Sequence, residues 1–249
     1  MPGDPFSLAG KTILVTGASS GIGRQVAVSC AAHGATLVIS GRDIARLDAV
    51  LAALPGPGHR AYAADLTDLE KIHALTDAAG PIDGMFFSAG IAVICPFRMV
   101  TPEHMRKLMQ IDFEAPVLLT QRLLRQRQIR DGGSIVFNTS AAAHISPVGS
   151  AIYSAAKAAV NAAARTLALE VARMRVRVNC LQLGYVQTSL LGELGKSGMN
   201  VEEMTNQAPL GVGQVEDAAN AAIFLLSDAS RWMSRAILTA DGGMCIRVT

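Results

Sequence analysis

Thr12-Ile13-Leu14-Val15-Thr16-Gly17-Ala18-Ser19-Ser20-Gly21-Ile22-Gly23 joins an apolar, β-branched run to a glycine-rich turn, and its reading decides the fold. Thr12 to Thr16 suits a strand ending at Gly17, and the apolar periodicity that follows makes Ile22 to His33 a helix closed by Gly34. Glycines at such a junction let the backbone approach a pyrophosphate, whose charge meets the free N–H groups of the helix N-terminus. Gly17, Ser19, Ser20, Gly21, Ile22 and Gly23 are therefore candidate phosphate contacts. A plain tight turn would use the same glycines, but the strand before and the helix after supply the context that binding requires.

Working outward, further strand-like runs stand at Thr36 to Ile39, Ile82 to Phe87, Ser134 to Phe137, Val176 to Cys180 and Ala236 to Thr239. Helical patterns fill the gaps, with Ile44 to Leu54 stopped by Pro55-Gly-Pro-Gly58 and long helices following Thr101 and Ser150. Alternation of this kind builds a parallel sheet covered on both faces, a three-layer α/β/α doubly wound fold whose ligand site lies at the strands' carboxyl ends. At 249 residues, half of them hydrophobic, the chain reads as a single domain over residues 1–249.

Composition narrows the partners. A formal charge of +2 without a basic run gives no reason to expect nucleic acid or a membrane surface. Cys30, Cys95, Cys180 and Cys245 lack metal or redox spacing and read as buried thiols in a reducing cytoplasm. The five histidines never approach H-x-x-x-H spacing, so no catalytic metal is expected. No apolar run reaches the ~20 residues that span a bilayer, and no signal core follows a basic N-terminus, which gives a soluble cytoplasmic expectation.

Tyr153-Ser-Ala-Ala-Lys157 carries the chemistry. A Tyr and a Lys four apart share one helical face, where an ammonium lowers the pKa of a phenol and fits it for proton transfer. Thirteen residues upstream stands Ser140, a second hydroxyl for the same oxygen. A packed Tyr beside a surface Lys would read the same way alone; order and spacing along the chain favour catalysis.

With these motifs in place, the chain from about Leu8 to Gly243 resembles the short-chain dehydrogenase/reductase family, including Asn179, Gly184, Thr188 and Asp241-Gly242-Gly243. The resemblance implies a Rossmann-type fold, and an enzyme in which hydride passes between a nicotinamide and a carbonyl carbon. Tyr153 moves the proton, Ser140 bonds the oxygen, and Lys157 holds the nicotinamide ribose. It also implies adenine contacts from Asp65 and Leu66, a ribose contact from Ser88-Ala89-Gly90, and nicotinamide contacts from Gly184, Val186 and Thr188. Gly41 stands where NAD-preferring relatives place Asp, and Arg42 follows with a forked donor for a 2′-phosphate, so NADP(H) is the expected cofactor and NAD(H) the alternative.

Three positions depart from the family pattern. Ser88 replaces a usual Asn, Leu183 a usual Pro, and Asp112 the Asn that supports a water relay to the lysine. Asp112 brings a charge and lacks an amide donor, which makes it a fourth candidate catalytic position.

Residues 189–213 read as a substrate lid, with Leu190, Leu191, Leu194, Met199 and Met204 suited to an apolar ligand or to ordinary packing. His144, Ile145 and Val148 would line the opposite wall. Substrate candidates are thus His144, Leu190 and Leu191. Arg122, Arg125, Arg127, Arg130, Arg173, Arg175 and Arg177 offer contacts for an acidic carrier protein, or are solvated helix ends.

The expected function is NADP(H)-dependent interconversion of a ketone and a secondary alcohol, with a 3-oxoacyl thioester, free or carrier-bound, as the leading substrate class. The alternatives are an NAD-dependent steroid, sugar or polyol dehydrogenase and a catalytically silent nucleotide sensor. The resemblance also implies a homo-oligomer, dimer or homotetramer, paired through the two long helices.

Overall fold

The structure, a computed structural model, describes residues 3–189, 191–192, 206 and 208–245. Seven parallel strands form one sheet: β1 (Thr12–Thr16), β2 (Thr36–Gly41), β3 (Arg60–Ala63), β4 (Ile82–Phe87), β5 (Ile129–Ser140), β6 (Arg177–Leu183) and β7 (Ile237–Ala240). Their spatial order is β3-β2-β1-β4-β5-β6-β7, so the winding reverses between β1 and β4 and opens a crevice at their carboxyl ends. The register pairs Thr16 with Phe87, which sets Gly17 beside Ser88 and Ala89.

Helices α1 (Gly21–Ala32), α2 (Ile44–Ala53), α3 (Leu69–Ala79), α4 (Pro102–Met109), α5 (Ala115–Arg125), α6 (Ala142–Ile145), α7 (Ala151–Glu170) and α8 (Val215–Leu226) flank the sheet. Val26, Cys30, Leu47, Ile223 and Leu226 bury one face against Ile13, Val15 and Phe86. Ile72, Leu119, Leu123, Val160 and Ala164 bury the other against Leu14, Met85 and Ile135. The small side chains of α7 bring it close to the sheet.

One polar seam crosses that second layer. Asn161 of α7 donates to Gln182 of β6 at 3.5 Å, and Gln182 donates to Thr239 of β7 at 3.2 Å.

The sequence expectations need five corrections. β3 was missed because its four residues form an exposed edge strand with no apolar run; Arg60 instead donates to the Ala78 and Ala79 carbonyls at the end of α3. β5 begins at Ile129, earlier than Ser134, reached across a register irregularity opposite Ile82 and Gly84.

The stretch after Thr101 is not one helix: α4 and α5 are separated by a π-helical turn, Gln110–Glu114. The Ala115 N–H reaches five residues back to the Gln110 carbonyl, and Pro116, which has no N–H, leaves the Asp112 carbonyl without the usual donor four residues on. Only Cys30 and Cys180 are buried; Cys95 and Cys245 are half-exposed. Burial pushes the Cys180 thiol up to about 12.

Arg177 is withdrawn as a carrier contact. It is 9% exposed, and its guanidinium donates to the carbonyls of Leu225, Ser227 and Ser230 and to the Ser230 hydroxyl. Arg122 is spent on Thr76 and Asp77, and Arg130 on Asp83.

Beyond β6, the chain on either side of the expected lid is clasped. Val186 bridges Gly213, with Gln187 N–H donating to Gly213 at 2.8 Å and Gly213 N–H to Tyr185 at 3.0 Å. Within that lid, Leu190, Leu194, Met199 and Met204 lie outside the described residues. No helix among the described residues is long and apolar enough to cross a membrane.

Candidate active site

The crevice at the β1/β4 reversal is a cavity of about 870 Å³. Its floor is the β1–α1 turn. Gly17 has φ +65°, and a Cβ there would stand 2.8 Å from the Ala89 nitrogen, so only glycine lets β1 and β4 end this close together. Thr16 Oγ1 accepts from the N–H groups of both Ser88 and Ala89, tying the two strand ends at 3.1 and 3.2 Å. At the start of α1, Ser20 provides no side-chain cap and no acidic residue occupies the first turn. Open N–H groups therefore face the cavity from Gly21, Ile22 and Gly23, which suits an anion such as a dinucleotide pyrophosphate.

One end of the cavity is lined by Ser19, Gly41, Arg42, Asp65 and Leu66. Asp43 is not free to compete for Arg42: its carboxylate caps α2 at Arg46 N–H and pairs with Arg46 Nε at 3.2 Å. Among the described residues Arg42 makes no ion pair. The N–H and hydroxyl of Thr67 donate to Asp65 and, helped by the nearby Arg42 charge, hold its carboxyl below the usual range. A side chain on Gly41 would meet Ser19 Oγ at 3.1 Å.

The other end holds Ser88, Ala89, Gly90, Asp112, Asn138, Tyr153, Lys157 and Thr188. Tyr153 and Lys157 project from one face of α7, with Lys157 Nζ 5.7 Å from the phenol ring centre. Asp112, on the π turn, is 1% exposed and places Oδ1 3.0 Å from Lys157 Nζ.

Burial raises the Asp112 carboxyl above its usual range against the pull of Lys157. Burial alone would lower Lys157, but Asp112 and the Tyr153 phenol outweigh it and raise the ammonium above the ordinary lysine value. The Asn138 carbonyl also faces Lys157 at 3.5 Å, and its amide reaches Ser88 Oγ at 3.4 Å. Sequence reasoning missed Asn138; its place two residues before Ser140, at the open end of β5, was the available signal.

Several expected residues flank the cavity and are not among those that line it. Ser140 ends β5, and its hydroxyl accepts from Ala142 N–H at 3.2 Å. Gly184 packs where a Cβ would meet Asp241 Cα at 2.7 Å, a structural reason for glycine. Val186 is buried under the clasp, His144 is exposed on α6, and Leu191 is buried with its N–H donating to Thr188 Oγ1 at 3.4 Å. No cluster able to hold a metal ion occurs among the described residues.

Comparisons with known proteins agree with this architecture. Residues 17–245 match the family described as "Enoyl-(Acyl carrier protein) reductase". The chain is 32% identical to D-erythrulose reductase of Gallus gallus, over 97% of this chain and 98% of that one. It is likewise 32% identical to gluconate 5-dehydrogenase of Gluconobacter oxydans (strain 621H), over 98% of each. A solved structure from Beutenbergia cavernae, assigned as an NAD(P)-dependent gluconate 5-dehydrogenase and holding NADP at low occupancy, superposes with a TM-score of 0.88 at 32% identity, covering 98% of this chain and all of that one (100%). Fold, site and relatives agree: the chain belongs to the short-chain dehydrogenase/reductase family of oxidoreductases.

Proposed function

We propose that the protein interconverts a ketone and a secondary alcohol with NADP(H). The observation that carries this is that the uncapped glycine turn of α1 and the Tyr153–Lys157 face of α7 open onto one cavity. A nicotinamide dinucleotide, when bound, supplies or accepts the hydride. The rest falls to the chain: Tyr153 gives its phenolic proton to the nascent alkoxide, or takes it back in oxidation, and Ser140 holds that oxygen. Lys157 supplies the positive charge beside the phenol. Gly17, Gly21 and Gly23 admit the pyrophosphate, with Ser19, Ser20 and Ile22 beside it; Asp65 and Leu66 flank the adenine, and Ser88, Ala89 and Gly90 the ribose.

NADP over NAD is supported by the Arg42 guanidinium, which makes no ion pair among the described residues, and by Gly41, where a carboxylate-bearing side chain would crowd Ser19. The relative holding NADP points the same way. Two substrate classes have support. Sugar-type relatives favour a small hydroxylated ketone, and the acyl-carrier-protein description of the matched family favours a 3-oxoacyl thioester. Exposed Val117 and Leu118 on α5 and Leu169 on α7 suit contact between copies of the chain, a homo-oligomer that light scattering would size.

The test is NADPH consumption by purified protein against erythrulose, xylulose, 5-ketogluconate and an acetoacetyl thioester, with NADH and Tyr153→Phe in parallel. The expected result is ketone-dependent loss of NADPH that falls at least ~100-fold in the variant while NADPH still binds. Undiminished turnover in Tyr153→Phe, or no binding of NADPH, would overturn the reading.

A further inference from the structure

Asp112 and Lys157 form a buried ion pair in the middle of the candidate site. The side chain of Asp112 is fully shielded (0% exposed) and that of Lys157 nearly so (10%), with 3.0 Å between Oδ1 and Nζ. Besides Lys157, the one described group that stabilises the carboxylate is the Ile91 backbone N–H. On the Gly90 side the packing is tight: a Cβ on Gly90 would stand 2.5 Å from Asp112 Oδ1 and 3.4 Å from Lys157 Nζ. A charge this deep is sustained only by a partner, since removing either ion strands the other in a medium that cannot solvate it.

We propose that Asp112 is a positioning residue, the counter-ion that fixes the Lys157 ammonium in place and keeps it charged where α7 meets the cavity. An asparagine would offer the same volume and a hydrogen bond but no compensating charge. In this chain the ammonium is tied on one side to the π turn and faces the Asn138 carbonyl on the other. Asp112 sits within the wide turn Gln110–Glu114 that precedes Pro116.

The other titratable groups around the pair are few. Tyr153 lies on α7 itself. Cys180 on β6 faces Lys157 and is in turn influenced by Arg165. Lys107 on α4 lines the cavity, and Arg42, Asp43, Arg46 and Asp65 line its opposite end. Among the described residues, only Asp112 lies within ion-pair distance of Lys157.

The consequence is a pH dependence specific to the charge at position 112. With Asp112 present, Lys157 stays protonated through the alkaline range; with Asp112→Asn, burial discharges it at lower pH, and whatever the ammonium holds is lost there. This rests on the proposed NADP(H) reading, but its test does not require a known ketone.

NADPH affinity is followed by nucleotide fluorescence from neutral to alkaline pH in the Tyr153→Phe background, so that the phenol cannot contribute, with Asp112, Asp112→Asn and Asp112→Glu. The expected result is an affinity that weakens about ten-fold with rising pH in Asp112→Asn alone. Curves for Asp112→Asn that superimpose on the parent would overturn the proposal.

Thermal stability gives a second reading that needs no nucleotide. Asp112→Asn alone should lower Tm by about 10 °C, or prevent folding, and Lys157→Met added to it should restore most of the loss. Additive losses would overturn the proposal. Should NADPH not bind at all, the proposed function falls while this stability cycle still decides the role of Asp112.

Discussion

A methyl group at Gly90 would press directly on the Asp112–Lys157 pair, so Gly90→Ala must part the two ions or shift the β4 loop. Turnover should drop about 100-fold, as it does when a reacting group is displaced by an ångström, with a lowered Tm but a native circular dichroism spectrum; steady-state kinetics on the ketone found active and a thermal melt would check this. Arg42→Ala acts at the opposite end of the cavity. Asp43 is engaged by Arg46, and Arg42 makes no ion pair among the described residues. Its loss should weaken NADPH about ten-fold and leave NADH unchanged, read by fluorescence titration of each nucleotide. Both positions could be picked from the sequence, Gly90 and Arg42 through the family pattern. The family pattern also linked Asp112 to the lysine, through a water relay; the direct ion pair was not legible, because it depends on three-dimensional proximity that leaves no spacing to read.

At the scale of elements, the long apolar strands and the glycine turn were legible because their signals are local: β1 and β4 have the bounds that alternation and composition suggest. β3 was not, since an edge strand reading Arg-Ala-Tyr-Ala has no apolar run and exists through pairing with β2 and the hold of Arg60 on α3. Arg177 illustrates the opposite error, a charge that looked solvated and proves to be a buried bolt between β6 and the end of α8. Burial lowers its pKa from the usual value. Arg177→Met would leave the Ser227 carbonyl without that donor and weaken the α8 terminus, costing about 2–4 kcal/mol. A Tm lowered by roughly 10 °C in calorimetry would match that expectation.

Over the whole molecule, stability should fall on acidification for reasons the carboxylates make explicit. Although its burial works the other way, Asp241 is held below the usual carboxylate range by Cys245 and by N–H donation from Gly243, Cys245 and Met244; for Asp65 the donors are the Thr67 groups. A depressed folded pKa stabilises above the ordinary carboxylate value and loses that contribution as pH falls through the lower, folded value. Tm should therefore decline below the ordinary carboxylate range, and Asp241→Asn should flatten part of that decline. The Tyr185–Val186 to Gly213 clasp has a different reach. Two backbone hydrogen bonds join Tyr185 and Gln187 to Gly213 beside the sheet, so entry to and exit from the segment between them are held by groups that any sequence supplies. Closing a longer segment costs only about 0.6 kcal/mol per doubling of length. The segment can thus be exchanged as a cassette, and descendants of this chain could acquire new ligands by rewriting it while inheriting the scaffold and its chemistry unchanged.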